Sequence, residues 1–584
     1  MRKPLLSLGA AALALLAGCT AAPRLPSITL PSMPEISFPT VAPIDLPSVA
    51  PITFLPQKVC ESLAGTLISP AEIDLPSGRV MIESAVLVAP SAIAVAERGP
   101  TPAATITPAM PQRCKVLGRI AARDPRAPAI QFQINLPVRW NGRSVQYGGG
   151  GFNGVLISGE ALVPSARFEQ ASPLGQGFVT YGTDSGHQTK PGEPPQAFAL
   201  NDEALENFAH ASYKKVRDVA VAVMKRTYGH APRRMYFVGS SEGGREGLTM
   251  AQRYPRDFDG IFSRVPIIHW TGLQHAGLRD GQALANGGWM NPAQVKLVHD
   301  AVLEACDAAD GVADGLVSDP VGCRKRFDAG KLRCTAAPAD TCLTDAQILA
   351  VQTLHSRLEL GVELVNGLRS YPGRGPGGEA IPSSGPTGGW QSWWTGSQAP
   401  AFPPVQANGI AWFYGAGAIQ YFYARNPQAD LRSYKVADHL PRIQQVSQLM
   451  DSTSPDLSAF RAAGGKLIVL ENLGDYAQSP YAGIEYHEAV VQRMGRPAVD
   501  AFFKLYTAPN VDHVGTGGPA HADFLGALVA WVEQNRAPRG LELVEQDAKP
   551  PFAVKRSRPL CEWPQVPRYR GGDVNAAASF ACAP

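Results

Sequence analysis

The sequence predicts an α/β fold built on a mostly parallel sheet and interrupted by one large insertion. Three observations lead there. Short apolar runs alternate with amphipathic stretches through residues 130–253, the rhythm of strand and helix. That rhythm lapses over residues 268–440 and resumes at Lys466. At residues 235–253 a compact apolar run passes through a glycine-flanked serine straight into a helical pattern. A chain of 584 residues exceeds one ordinary core, so several units are expected. The net charge of +3 and the lack of a long basic run give no support to nucleic-acid binding.

The first segment, 1–19, is expected to be a processing signal. Arg2 and Lys3 precede an apolar run too short to span a bilayer. It ends Leu16-Ala17-Gly18-Cys19, similar to a bacterial lipoprotein processing site, which makes Cys19 the expected lipid-bearing residue. Such an anchor holds a protein on a membrane without crossing it. Thr20, where an Asp would signal otherwise, points to the outer membrane of a Gram-negative cell, facing the periplasm or the cell surface. Residues 20–57 repeat proline every few positions and read as an extended linker. At about 3.1 Å per residue it spans roughly 100 Å.

Eight cysteines remain after Cys19: Cys60, Cys114, Cys306, Cys323, Cys334, Cys342, Cys561 and Cys582. An even count in an exported chain reads as four disulfides. Their spacing does not fix the pairing; sequential pairing is the simplest, with Cys306–Cys323 and Cys334–Cys342 closing short loops.

Residues 58–267 carry the first part of the core. Strands are expected at 130–136, 143–147, 177–182 and 235–238, and helices at 207–228 and from about 242 to 253. Residues 268–440 hold four cysteines, many glycines and prolines, and Trp390, Trp393, Trp394 and Trp412, and read as an inserted lid domain. Residues 441–584 complete the core, with strands at 466–470 and 502–507 and helices at 481–494 and 522–534.

Gly239-x-Ser241-x-Gly243 lies between a predicted strand and helix, the setting of the nucleophile elbow in α/β-hydrolases. A serine hydroxyl needs an imidazole to take its proton, and in that fold acid and histidine follow the serine in that order. Asp475 follows strand 466–470 on a loop, and His513 follows the last strand on another. His487 falls inside a helix too close behind Asp475, and His521 opens the final helix, where capping or surface exposure also explains it. The acyl oxygen needs fixed donors as charge develops on it. The amide of Glu242 is expected to be one, and Gly150 or Gly151 of the run 148–151 the other.

Asp307, Asp310 and Asp314 recur at close spacing among glycines, a pattern suited to a hard cation. Calcium is the expected ion, with carbonyl oxygens of Val312 and Leu316 completing the shell and a structural role in the lid. An ordinary solvated acidic turn is the alternative.

Several strings carry a resemblance: YGHAPRRMYFVGSSEGGREGLTMAQRYPRDFDGI, LPVRWNGRSVQYGGGGFNG, YGTDSGH, CDAADGVADGLVSDP, SPDLSAFRAAGGKLIVL and WVEQNRAP. Together they resemble the tannase and feruloyl esterase family, which also includes the hydrolase of mono(2-hydroxyethyl) terephthalate. The resemblance runs from Cys60 to the end. It implies an α/β-hydrolase core, a lid with structural calcium, cleavage of esters of aromatic acids, and the triad Ser241, His513 and Asp475.

The chain departs from the family pattern in three places. Ser240 and Val514 stand where the resemblance implies a cysteine pair beside the triad, and the acid's loop reads Glu471-Asn472-Leu473-Gly474-Asp475. Residues 390–424 contain no Arg or Lys to hold a substrate carboxylate, while Trp393 and Trp394 offer aromatic contact. The expected substrate is therefore a small neutral or phenolic aromatic ester. A terephthalate monoester is the alternative substrate, and a catalytically idle surface lipoprotein that binds aromatic ligands is the alternative class. The sequence leaves oligomeric state open.

Overall fold

The structure is a computed structural model that describes residues 52–53, 57–91, 110–381, 389–405 and 407–584. The expected signal with Cys19, and nearly all of the proline-rich segment, lie outside the described residues.

Among the described residues the main sheet has eleven strands. In chain order they are β1 (Leu67–Ile68), β2 (Val80–Val88), β3 (Arg113–Ile120), β4 (Ile130–Pro137), β5 (Arg143–Tyr147) and β6 (Val179–Thr183). Then come β7 (Arg234–Ser240), β8 (Gly260–Arg264), β9 (Lys466–Asn472), β10 (Phe503–Ala508) and β11 (Cys561–Glu562). Their spatial order is β11-β10-β9-β8-β7-β5-β6-β4-β3-β2-β1. The six strands from β10 to β6 are parallel, β1–β4 add an antiparallel meander at one side, and β11 closes the other side antiparallel to β10.

The central strands read as unbroken apolar runs because both faces are covered. Met235, Phe237, Leu467 and Val469 enter one core, while their neighbours Tyr236, Val238, Ile468 and Leu470 enter the other. Period-two alternation thus sends adjacent residues to opposite faces, and a parallel sheet sandwiched by helices buries both sets. Helices α1 (Ser212–Tyr228) and α2 (Glu242–Arg253) pack on the first face; the closing helix (Phe524–Gln534) packs on the second through Phe524, Leu525, Leu528 and Trp531.

The helix expected over 207–228 begins earlier, at Asp202, and passes through a π turn at Asn207–Ala211 before α1. Gly229 ends it with φ +84°, the left-handed conformation that glycine adopts freely. The outer strands β1–β3 and the C-terminal hairpins (Glu542–Gln546 with Val554–Pro559, and Val566–Tyr569 with Phe580–Ala583) were not anticipated.

The insertion joins β8 to β9 and has a core of its own, containing Val298, Val302, Ile348, Val351, Trp390 and Trp394. Residues 49–584 nevertheless form one compact unit. A cluster of rings locks the insertion down: Phe152 of the core meets Tyr414 at 4.9 Å and Trp270 at 5.3 Å, edge to face, and Phe208 meets Trp270 at 5.6 Å. Such pairs add about 0.5–1.5 kcal/mol each beyond the area they bury. The eight cysteines form four sequential disulfides: Cys60–Cys114, Cys306–Cys323, Cys334–Cys342 and Cys561–Cys582.

Candidate active site

Ser241 sits between β7 and α2 with φ +62° and ψ −121°, a conformation costly for a residue with a side chain. The flanking glycines make that turn feasible. A Cβ on Gly239 would lie 2.1 Å from the Gly243 carbonyl oxygen, and one on Gly243 would lie 2.6 Å from that of Gly149. The turn lifts the hydroxyl off the end of the sheet, and the Ser241 amide donates to the Arg264 carbonyl at 3.0 Å.

The predicted partners converge on it. His513 Nε2 lies 2.8 Å from Ser241 Oγ, and Nδ1 lies 2.7 Å from Asp475 Oδ2. Asp475 is buried, and its other oxygen accepts the amides of Ala477 and Gln478 at 2.8 and 3.1 Å, which fixes the carboxylate plane. The histidine loop is clamped by its neighbour. Asp512 Oδ1 accepts the amides of Val514, Gly515 and Thr516 at 2.8–3.0 Å, and Asn472 Nδ2 donates to the Asp512 carbonyl at 2.6 Å. His487 packs on Phe503, and His521 lies against Phe168 and the Val544 carbonyl. Burial holds both imidazoles down at about 4, and neither ring bonds to Ser241, whose hydroxyl meets His513.

The glycine run resolves into distinct tasks. The Gly148 amide donates to the Val238 carbonyl at 2.9 Å and the Gly149 amide to Glu246 Oε2 at 2.8 Å. The Gly150 amide is taken by the Asn153 side chain. The expectation for Gly150 is therefore corrected: its donor is already spent. Among the described residues the Gly151 amide has no acceptor, and neither has that of Glu242 at the first turn of α2, so these two donors remain unspent beside Ser241.

Asn153 and Glu246, which the sequence reading passed over, hold this loop. Asn153 Nδ2 donates to Glu246 Oε1 at 2.8 Å and contacts the Tyr213 hydroxyl at 2.6 Å, and that hydroxyl donates to Glu246 Oε1. Burial, with the charge of Glu242 adding to it, pushes the Glu246 carboxyl up to about 7. The only sequence signal was the position of Asn153 just after the glycines.

Trp393 meets the His513 ring edge to face at 5.2 Å and fronts the triad. Trp394 does not, a second correction. It is buried in the insertion's core, donates Nε1–H to the Tyr476 carbonyl at 3.1 Å, and lies against the Arg374 guanidinium at 4.3 Å. The two sit on a π turn (Gln391–Thr395), which sends adjacent side chains in different directions. Tyr414 also approaches: its hydroxyl is 3.0 Å from where a Cβ on Gly151 would stand. A surface cleft of about 1250 Å³ is lined by residues such as Arg123, Lys190 and Arg425 and includes no triad member.

In the acidic loop, Asp307 accepts the amides of Asp314 and Gly315, Asp310 Oδ1 that of Val312, and Asp314 Oδ1 that of Leu316. Among the described residues no three acidic, histidine or cysteine side chains converge as a ready ligand set, and Asp314 Oδ2 is paired with the Arg558 guanidinium. Asp310 Oδ2, however, is buried without a hydrogen-bond partner. That orphan atom is of the kind a hard cation with carboxylate and backbone-carbonyl ligands would satisfy.

Comparison with known proteins adds the wider context. The model of the family "Tannase and feruloyl esterase" matches residues 114–583. An uncharacterised esterase of Agrobacterium fabrum is 35% identical over 90% of this chain and 93% of its own length. The mono(2-hydroxyethyl) terephthalate hydrolase of Piscinibacter sakaiensis is 31% identical over 85% of this chain and 90% of its own. The crystal structure of feruloyl esterase B from Aspergillus oryzae superposes with a TM-score of 0.71 at 24% identity, over 90% of this chain and all of that one.

Proposed function

Because this chain belongs to the tannase and feruloyl esterase family, a family of carboxylic ester hydrolases, we propose that it cleaves esters of phenolic aromatic acids through Ser241, His513 and Asp475. The observation that carries this reading is the unbroken relay Ser241–His513–Asp475 beside two unused amides. In the first half-reaction His513 Nε2 takes the Ser241 proton as Oγ attacks the ester carbonyl carbon. The oxyanion turns to the amides of Glu242 and Gly151. The carbon–oxygen bond to the alcohol breaks, and His513 returns the proton to the departing alkoxide. Water, deprotonated by His513, then attacks the acyl-enzyme and releases the acid and Ser241. Asp475 keeps Nδ1 protonated and stabilises the imidazolium.

The substrate ring is read as packing on Trp393, with Tyr414 opposite. Residues 390–424 carry no Arg or Lys, and Arg425 is committed to Asp202 and the Leu200 carbonyl. A neutral phenolic acyl group therefore suits the site better than a terephthalate carboxylate. Asp307, Asp310 and Asp314, with the carbonyls of Val312 and Leu316, would hold a structural Ca²⁺ in the lid; it would supply rigidity and no chemical step. Four disulfides fit an oxidising compartment, and Cys19 is the proposed lipid anchor on the outer membrane.

Turnover of ethyl ferulate, methyl gallate and mono(2-hydroxyethyl) terephthalate by purified protein, with Ser241→Ala as control, tests the reading. Serine-dependent release, fastest on a phenolic ester, is expected. Folded protein silent on all three would refute it in favour of an aromatic-ligand binder, and preference for the terephthalate would overturn the substrate assignment.

A further inference from the structure

Arg264 ends β8 directly between the strands that carry the nucleophile and the acid, paired in register with Ser240 on one side and Leu470 on the other. Its guanidinium is buried, at 6% exposure of the residue, and points into the seam between the serine turn and the histidine loop. Nη1 donates to Ser240 Oγ at 2.8 Å, and Nη2 donates to the His513 carbonyl at 2.9 Å. Its own carbonyl accepts the Ser241 amide at 3.0 Å. One residue thus holds the nucleophile by its backbone, the residue before the nucleophile by one nitrogen, and the general base by another. Room for it is provided locally: Gly515, with φ +95°, would place a Cβ 3.2 Å from Nη2.

This placement is expensive. Among the described residues no carboxylate lies within ion-pair distance of Arg264, and its Nε has no partner. A buried cation without a direct counter-ion costs several kcal/mol in an ordinary core. The acidic groups facing it are Asp512, Asp475 and Glu471, all beyond ion-pair distance, and they offset that cost only in part, since burial pushes the carboxyls of Glu471 and Asp512 up. Structures keep such a group where its geometry matters more than its contribution to stability. The two ties also span the part of the triad with least covalent continuity, since Ser241 and His513 are 272 residues apart.

Resting on the Ser-His-Asp reading above, we infer that Arg264 is a positioning residue that staples the histidine loop to the nucleophile turn and so sets the Ser241–His513 distance. It bonds to neither the Ser241 hydroxyl nor the His513 imidazole; it acts through the Ser240 side chain and the His513 carbonyl. A misplacement of about 1 Å in a reacting group costs as much as ~100-fold in rate, whereas Trp393 is seated by the insertion's own core and not by Arg264.

The test uses the whole protein and four variants: Arg264→Ala, Arg264→Lys, Ser240→Ala and Ser241→Ala. Active sites are titrated with a serine-directed phosphonate, and kcat and KM are measured on an aryl ester per titrated site. Arg264→Lys reaches one partner at a time and is expected to lose ~10-fold in kcat with KM within about twofold. Ser240→Ala removes one tie and is expected to lose ~3-fold, and Arg264→Ala ~100-fold. A role confined to stability predicts fewer titratable sites and a lower melting temperature with unchanged kcat per site, and that result would overturn the inference. If Arg264→Ala does not fold, Arg264→Lys and Ser240→Ala decide the matter. Wild-type protein without Ser241-dependent turnover would instead sink the esterase reading on which the staple depends.

Discussion

Removing the Asn153 side chain asks whether the oxyanion loop is held from behind. Asn153→Ala deletes the acceptor of the Gly150 amide and the bonds to Tyr213 and Glu246. Tyr213 and Glu246 are almost wholly buried, so water does not readily replace what they lose. Glu246 keeps the Tyr213 hydroxyl and the Gly149 amide, which leaves about one buried acceptor short at ~1–3 kcal/mol. Asn153 also has φ +48°, where alanine pays a further ~1–2 kcal/mol. The expected loss of stability is therefore about 2–5 kcal/mol. Loss of an oxyanion donor costs ~100–1000-fold in kcat, and a loop that is loosened but still glycine-lined should give up about a tenth to a third of that. Asn153→Gly removes the same bonds without the backbone strain, so it should melt closer to wild type yet lose kcat equally. Urea unfolding and steady-state kinetics on an aryl ester measure both. Wild-type kcat in either variant, or kcat that follows stability rather than the missing bonds, would refute the reasoning.

Trp393→Ala should raise KM for an aromatic ester at least several-fold with little change in melting temperature, whereas Trp394→Ala should destabilise by ~3–5 kcal/mol, as a buried tryptophan does; equal behaviour in kinetics and melting would contradict their divergent placement. His487, held down at about 4 by burial, stays neutral in the native protein while the unfolded chain takes up a proton near 6.5, so its contribution to stability is lost as pH falls from 6.5 towards 4. His487→Phe should therefore gain on wild type by up to ~3 kcal/mol between pH 7 and 4 in urea melts, and a pH-independent difference would show that the histidine titrates normally. Chelation should lower the melting temperature of wild-type protein by several degrees and leave Asp310→Asn unmoved; an unchanged wild-type melt would remove calcium from the lid.

The triad was legible because each member sits at a place that chain grammar marks. Ser241 is framed by glycines whose Cβ atoms would collide with backbone, and Asp475 and His513 follow apolar strands on loops. The central strands were legible because burial on both faces leaves no polar interruption. β2 was missed for the opposite reason: exposed Glu83 and half-buried Ser84 break its apolar run, and its pairing with β3 is made across a long connection. Trp393 and Trp394 are indistinguishable in one dimension, and a single π turn separates them. The choice between Gly150 and Gly151 depended on where the Asn153 side chain folds back, which spacing does not encode. Arg264 gave no local sign of its role, since the carbonyl it ties across the seam, that of His513, lies 249 residues away, and the carboxylate that pairs with Arg558 lies 244 residues away.

The strand that closes the sheet has a bearing on how this protein comes into being. β11 pairs with Tyr506 and Thr507, a few residues before His513, and Cys561 within it is joined to Cys582. A ribosome makes Ser241 and Asp475 early, but the edge that steadies the histidine's strand exists only after residue 562 has been added. A chain cut short before β11 should therefore keep Ser241 and Asp475 but seat the histidine's strand less firmly, and should turn over esters more slowly than the full chain.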